Sequence, residues 1–214
     1  MYVWGRMART MATASSRGPY RAGEESRLAF RCLPIDIDFN LHLNNARYMM
    51  LADLGRIDIF LRIGLIALAR KNGWAPMIGG LQVAYVREIR LWRRFDVVSS
   101  IETWEGTSVI GRHRFVLDGG ETAALILTTG GVYDRGGRRF LDIDEVVAAL
   151  GRAARPRPPT ETERAFMISH KNLREQAKAA LSSAIRPFAS GQSDGRALDR
   201  LEAFFPVFEG ERTC

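Results

Sequence analysis

Between residues 35 and 44 apolar and polar side chains alternate without a break. Ile35, Ile37, Phe39, Leu41 and Leu43 take the odd positions, and Asp36, Asp38, Asn40, His42 and Asn44 the even ones. An extended backbone would put the five polar groups on one side. Strands disfavour Asp, Asn and His, whereas loops and helix N-caps favour them. The stretch therefore reads as an ordered loop. Its apolar side anchors it, and its polar side delivers an acid, an amide and an imidazole to a helix N-terminus. An edge strand followed by a capped helix is the plainer alternative.

The pattern then changes period. From Asn44 or Asn45 to about residue 70, apolar residues recur every three or four positions in two stripes, one through Met49, Ala52, Ile59 and Ile63 and one through Met50, Leu54, Ile57 and Leu61. That spacing predicts one long helix, stopped by Asn72-Gly73. Only a narrow edge with Arg47, Asp58 and Arg62 reads as wet, and a helix apolar on two sides must be wrapped by other elements. Four strand candidates follow, near residues 77–88, 95–104, 108–118 and 121–133, joined by turn residues including Gly106 and Gly119-Gly120. A shorter strand, residues 26–33, precedes the loop and ends at Pro34. Tight turns between consecutive strands imply an antiparallel sheet. Gly79-Gly80 and Gly130-Gly131 mark expected bulges or close backbone approaches.

The flanks carry less pattern. Residues 1–24 show no apolar period and read as a disordered leader in which Met7 or Met11 could also initiate. The domain proper runs over residues 25–151 and includes a short helix or turn at 142–150. Residues 152–160, with three prolines interleaved with arginine, read as a linker. Residues 161–214 read as a helical or partly disordered tail, helical over 161–185 with a second short helix near 197–208. The tail is left three readings: packing on the domain, contacting a partner or membrane, or lacking order.

Composition narrows the class. Hydrophobic residues make up 46% of the 214, as expected of a globular chain. The 31 basic residues include only three lysines, Lys71, Lys171 and Lys178, which leaves 28 arginines and a net charge of +7. An Arg-rich balance fits a GC-rich genome, or attraction to anionic partners such as nucleotide-bearing CoA, acyl-carrier protein or anionic lipid. No basic run with interleaved aromatics stands out, which argues against nucleic acid. Two cysteines, Cys32 and Cys214, give neither a disulfide framework nor metal spacing, and point to a reducing, cytoplasmic setting. No apolar run is long enough to span a bilayer. No Gly-rich phosphate loop or Ser-His-Asp arrangement is present, and no metal or cofactor is implied.

The run Asp38-Phe39-Asn40-Leu41-His42-Leu43-Asn44-Asn45-Ala46-Arg47-Tyr48 resembles the Asp-x-Asn-x-His-x-Asn-Asn-x-x-Tyr signature of hot-dog-fold thioesterases. The branch is the one that includes plant acyl-carrier-protein thioesterases and proteins resembling thioesterase superfamily member six. Asp53 and Arg56 resemble the helix carboxylate and arginine of many bacterial acyl-CoA thioesterases, with Asp in place of Glu. Leu41 departs from the Gly that many relatives carry, so a different turn is expected there. The resemblance covers residues 26–151.

It implies an α+β hot-dog fold, a curled antiparallel sheet wrapped around one long central helix, and thioester hydrolysis by a homodimer or tetramer acting on acyl-CoA or an acyl-carrier-protein thioester. Asp38 would be the general base or nucleophile, with Asn40 and His42 beside it. Free N–H groups at the start of the helix would face the developing oxyanion. Asn45, Tyr48 and Asp53 are the substrate-binding candidates. Helix capping is the plain reading of Asn45, core packing that of Tyr48, and an ion pair with Arg56 that of Asp53. His113 reads as a satisfied core or interface histidine. An enoyl-thioester hydratase or dehydratase, and a non-catalytic acyl- or lipid-binding protein, are the two other functions this pattern admits.

Overall fold

A computed structural model of the chain describes residues 3–21, 23–152 and 154–189, with side chains to residue 181 in the final helix. The short helix expected near residues 197–208 lies outside the described residues. The chain divides into two units, 1–163 and 164–214.

The first unit is an antiparallel sheet curled around a helix. Its strands are β1 (Ser26–Arg31), β2 (Trp74–Tyr85), β3 (Arg94–Glu105), β4 (Ser108–Leu117), β5 (Thr122–Asp134) and the two-residue β6 (Arg139–Phe140). The sheet order is β1-β3-β4-β5-β2, with β6 paired to β5. This is the expected hot-dog arrangement. The central helix α2 (Asn45–Arg62) rests against the sheet closely at Gly55, where a Cβ would lie 2.0 Å from Ser99 Oγ. The core between them includes Leu51, Leu54, Phe95, Val97, Phe115 and Ile126. Its aromatic members touch: Tyr48 and Phe115 have ring centroids 4.8 Å apart, and Phe95 and Phe115 5.9 Å.

Both glycine pairs mark irregular backbone. The β2–β5 register shifts between Ile78 and Gly80. At Gly130 a Cβ would meet the Met77 carbonyl at 2.3 Å, and at Gly131 the Thr107 carbonyl at 2.5 Å, so no other residue fits without backbone displacement.

Four expectations require correction. The long helix is not continuous. Gly64, at φ +87°, breaks it into α2 and α3 (Leu65–Asn72), because a left-handed residue cannot continue a right-handed helix. The leader is not without order. Residues 4–13 form α1 (Trp4–Thr13), whose Met7 packs with Val3 against the main core.

Asp58, expected on a wet edge, is fully buried. Arg17 bonds it at 2.6 Å, Arg62 at 3.0 Å and Ser26 Oγ at 2.5 Å. The partner that buries it comes from the N-terminal segment, 41 residues away, which helical periodicity cannot anticipate. Finally, the expected linker is pinned to the sheet at Arg157. The Arg157 guanidinium reaches Glu102 and Glu163, each at 2.6 Å, and Thr103 Oγ1 donates to the Arg157 carbonyl. Arg157 holds the Glu163 carboxyl down to about 2.

The helices α4 (Ile143–Ala149) and α5 (Glu161–Ala189) complete the described chain. Asp142 caps α4 by accepting from the Asp144 N–H. Thr160 and Glu163 form a reciprocal capping box that starts α5.

Candidate active site

The alternating stretch folds back on itself. Pro34–Asp36 form one turn of 3₁₀-helix, after which Ile37 pairs with Leu43 in an antiparallel bridge. The Asp38 N–H donates to the His42 carbonyl at 3.2 Å, and the Leu41 N–H to the Asp38 carbonyl at 3.0 Å. Residues 37–43 are therefore a miniature hairpin with Phe39 and Asn40 at its tip. It sits on the β2–β3 connection, where His42 pairs with Arg90 and the Leu43 N–H donates to the Ile89 carbonyl at 2.8 Å.

This geometry corrects the anchoring expected of the apolar side. Phe39 is 91% exposed and Leu41 66%, and Ile35 is also exposed; only Ile37 and Leu43 turn inward. A tight hairpin has too little interior to cover the side chains at its tip. Leu41 adopts φ +62°. The loop thus takes the left-handed conformation that a glycine would favour, despite the branched side chain, at a cost of roughly 1 kcal/mol.

What anchors the hairpin is charge. Asp36 is 1% exposed, and its carboxylate accepts from Arg6 of α1 at 2.9 and 2.5 Å and from the Leu33 N–H at 3.0 Å. The Arg47 guanidinium lies 3.9 Å away and donates to the Ile35 carbonyl at 2.7 Å. The Asn44 N–H donates to the Asp36 carbonyl at 2.8 Å, joining the clamp to the cap of α2. Sequence reasoning placed Asp36 in the polar row without a role. Pro34 two positions earlier was the available signal, since Pro starts a helical turn whose third residue can reach back to cap it.

Asp38 stands on the open side of this clamp. Its side chain is 16% exposed, Oδ1 accepts from the Asn40 N–H at 2.9 Å, and His42 Nδ1 lies 3.8 Å away. His42 Nδ1 also faces the Leu43 carbonyl at 3.4 Å. A carbonyl only accepts, so in that contact Nδ1 is the donor. The structure thus brings Asp38 and His42 together at the entrance to α2. The Asn40 side chain is exposed and meets no partner among the described residues.

The helix N-terminus is largely satisfied from within. Asn44 is its cap: its Oδ1 accepts from the Ala46 N–H at 2.9 Å and its carbonyl from the Arg47 N–H at 2.8 Å. Of the donors expected to be free, the Asn45 N–H is left without a hydrogen bond among the described residues. Asn45 itself is exposed, and its carbonyl accepts from the Tyr85 hydroxyl at 3.4 Å.

Tyr48 does not line an open surface. It is 3% exposed, edge-on to Tyr85 at 5.1 Å, and burial pushes its hydroxyl pKa up. Core packing is its role within the protomer. Asp53 pairs with Arg56 one turn along α2, at 37% and 21% exposure, two turns from the hairpin. His113 is a satisfied core histidine. Its Nδ1 lies 2.8 Å from Ser99 Oγ, and burial, reinforced by Arg56, lowers its pKa to about 3. Cys32 is buried, which raises its thiol to about 11, so it offers no nucleophile.

The sequence model of the thioesterase-like superfamily matches residues 32–150. Protein THEM6 of Xenopus laevis is 34% identical over 84 residues, 39% of this chain and 41% of that protein. The matching segment therefore spans about two fifths of that relative's length. Among solved structures, YbaW, a probable thioesterase of Escherichia coli, superposes with a TM-score of 0.55 at 21% identity, covering 58% of this chain and 95% of its own. An oleoyl thioesterase (putative) of Lactobacillus plantarum superposes with a TM-score of 0.56 at 15% identity, covering 64% and 54%.

Proposed function

Because this chain belongs to the thioesterase-like superfamily, we propose that it hydrolyses acyl-CoA thioesters of fatty or aromatic acids, with Asp38 as general base or nucleophile. The observation that carries this reading is the setting of Asp38. It is a carboxylate on a hairpin clamped by Asp36, beside an imidazole and next to the capped end of α2.

Hydrolysis needs a group that activates water or attacks the carbonyl, and a donor for the oxyanion. Asp38 supplies the first. His42, with Nδ1–H directed to Asp38 and the Leu43 carbonyl, offers Nε2 as proton acceptor or shuttle. The Asn45 N–H, at the positive end of the helix dipole, supplies the second. One such donor lowers a barrier by about 3 kcal/mol. Asn40 extends from the hairpin tip as a contact for the thioester or the attacking water.

The enzyme acts as a cytoplasmic homodimer or tetramer. β2 is an edge strand, and Met77, Ile78, Leu81 and Tyr85 along it are exposed. Pairing of two copies along β2 would cover these apolar groups and remove the open edge. Arg90 beside His42 is a candidate contact for the phosphates of CoA. Among the described residues no helix is long and apolar enough to cross a membrane.

A thiol-release assay with short, medium, long and aromatic acyl-CoAs tests the reading. Turnover is expected with at least one class. Asp38→Asn is expected to lower it 10²- to 10⁴-fold, with little change in Tm, because Asn Oδ1 can still accept from the Asn40 N–H. Folded protein without thiol release on any substrate rejects the assignment for CoA thioesters. Normal turnover in Asp38→Asn moves the base to His42 or Asp53.

A further inference from the structure

Two buried carboxylates bracket α2. Asp36 precedes its N-terminus and Asp58 lies near its C-terminus, at 1% and 0% exposure. Each is held by an arginine from the N-terminal segment. Arg6 bonds Asp36 at 2.9 and 2.5 Å, and Arg17 bonds Asp58 at 2.9 and 2.6 Å. An ionised carboxylate taken out of water needs such a partner. The region that matches the superfamily begins at residue 32, so both arginines come from outside it. At Asp36, what remains without Arg6 is the Leu33 N–H and Arg47, 3.9 Å away.

Arg6 does more than neutralise a charge. Its Nη1 donates to Asp36 Oδ1 and its Nη2 to Oδ2, a two-pronged pair. Nη2 also donates, at 2.9 Å, to the carbonyl of Arg31, the last residue of β1. The guanidinium lies 5.6 Å from the centroid of the Phe30 ring. One planar group therefore staples the end of β1 to Asp36 across residues 32–35. It is placed there by α1, whose Met7 packs with Val3 against the main core. From Asp36 the constraint runs into the site. The Asp36 carbonyl accepts from the N–H of Asn44, the cap of α2, and the next residue, Ile37, opens the hairpin that carries Asp38.

We propose that Arg6 is a positioning residue for Asp38 and that, resting on the thioesterase reading above, the N-terminal segment is a working part of the active site. Arg6 acts through Asp36. It fixes where the hairpin leaves the sheet, and so where the Asp38 carboxylate stands relative to the start of α2. Reaction geometry tolerates little error: a misplacement of about 1 Å costs about 10²-fold in rate. Lysine is a poor substitute, because a point-charge ammonium cannot hold both carboxylate oxygens and the Arg31 carbonyl in the plane of one fork.

Two measurements on the full-length chain test this, and the first does not depend on catalysis. Amide hydrogen exchange is followed by NMR in the unaltered chain and in Arg6→Met. The 38 and 41 amides are expected to exchange roughly tenfold faster in the variant, while the β3–β4 ladder keeps its rates. Unchanged exchange in the hairpin overturns the positioning role whether or not the chain hydrolyses thioesters. Hairpin and ladder quickened together mark a merely structural role and also overturn it. The second measurement is steady-state kinetics on the acyl-CoA turned over fastest. Arg6→Met is expected to lower kcat about 10²-fold and to leave KM within about twofold, with Arg6→Lys falling between it and the unaltered chain. A loss confined to KM, or an unchanged kcat beside a loosened hairpin, overturns the link to Asp38. Should Arg6→Met fail to fold, Arg6→Lys, which keeps the charge and the aliphatic stem, carries both measurements. Absence of turnover in the unaltered chain rejects the thioesterase reading alone, and the exchange rates then decide whether Arg6 holds the hairpin.

Discussion

The two ends of α2 solve opposite problems. At its N-terminus the environment is polar and the backbone is tied down. Asp36, Arg6, Arg47 and the Asn44 cap hold a hairpin in which Phe39 and Leu41 remain exposed. At its C-terminal half the environment is apolar: Ile59, Phe60 and Ile63 line a pocket of about 140 Å³ together with Val109 and Val146. Reactive groups need fixed positions with access to water, which hydrogen-bonded charge can provide. Apolar side chains need only close packing away from water. A single helix can serve both because the residues that meet each end come from different parts of the chain.

The comparison is broken most severely at the buried carboxylates. Asp58→Ala would leave Arg17 and Arg62 without their shared partner. It is expected to cost roughly 3–5 kcal/mol, the usual effect of breaking a buried ion pair, read as a lower midpoint of urea unfolding. Asp36→Ala acts at the polar end, where Arg6 bonds the carboxylate and Arg47 lies 3.9 Å away, a looser set of partners than the Arg17, Arg62 and Ser26 contacts of Asp58. A smaller loss of about 2 kcal/mol is expected, together with faster hydrogen exchange of the 38 and 41 amides. If Asp36→Ala left those amides as protected as before, charge would not be what holds the hairpin.

Acid should break the apolar end. Burial lowers the His113 pKa from its ordinary 6.5 to about 3. The folded state therefore resists the proton that the unfolded chain accepts. Stability from this group is complete above pH 6.5 and is lost as pH falls toward 3, at a slope approaching 1.4 kcal/mol per pH unit. Glu163, lowered from 4.5 to about 2 by Arg157, adds a loss of the same sign below pH 4.5. His170, lowered by burial and by Arg174, adds a loss of the same sign below pH 6.5, so His113→Gln is expected to reduce the slope of the denaturation midpoint between pH 6.5 and 4.5 by the His113 share. An undiminished slope in His113→Gln assigns the effect elsewhere.

The smallest expected change sharpens the polar end. Leu41→Gly relieves a left-handed leucine at φ +62°. It is expected to be neutral or to raise stability by up to about 1 kcal/mol, read as a rise of a few degrees in Tm. A loss of stability would mean that the exposed leucine makes contacts outside the protomer.

Much of this was legible in the residues. The alternation at 35–44, the helical period that follows and the glycine-punctuated strands led to a sheet wrapped around one helix. The signature placed Asp38 and His42 side by side, and the structure brings them together. Asn44 was readable as a cap because its side chain acts within two residues of itself. Asp58 was misread because its helix period puts it beside Arg62, whereas its burial depends on Arg17. Tyr48 was ambiguous for a similar reason, since one aromatic on a helix serves a pocket or a core equally well until Tyr85 and Phe115 are known to flank it.

The sequence by itself determined what is local: periods, caps, turns, the polar row and the acid–imidazole pair four residues apart. Each is set by forces that act within one turn of helix or one hairpin. The tertiary structure decided which carboxylate is clamped and which stands open, that the N-terminal helix braces the hairpin, and that an apolar pocket forms beside the end of α2. Those outcomes depend on charges and volumes from segments tens of residues apart. Only the folded chain brings such segments within the few ångströms over which ion pairs and packing act.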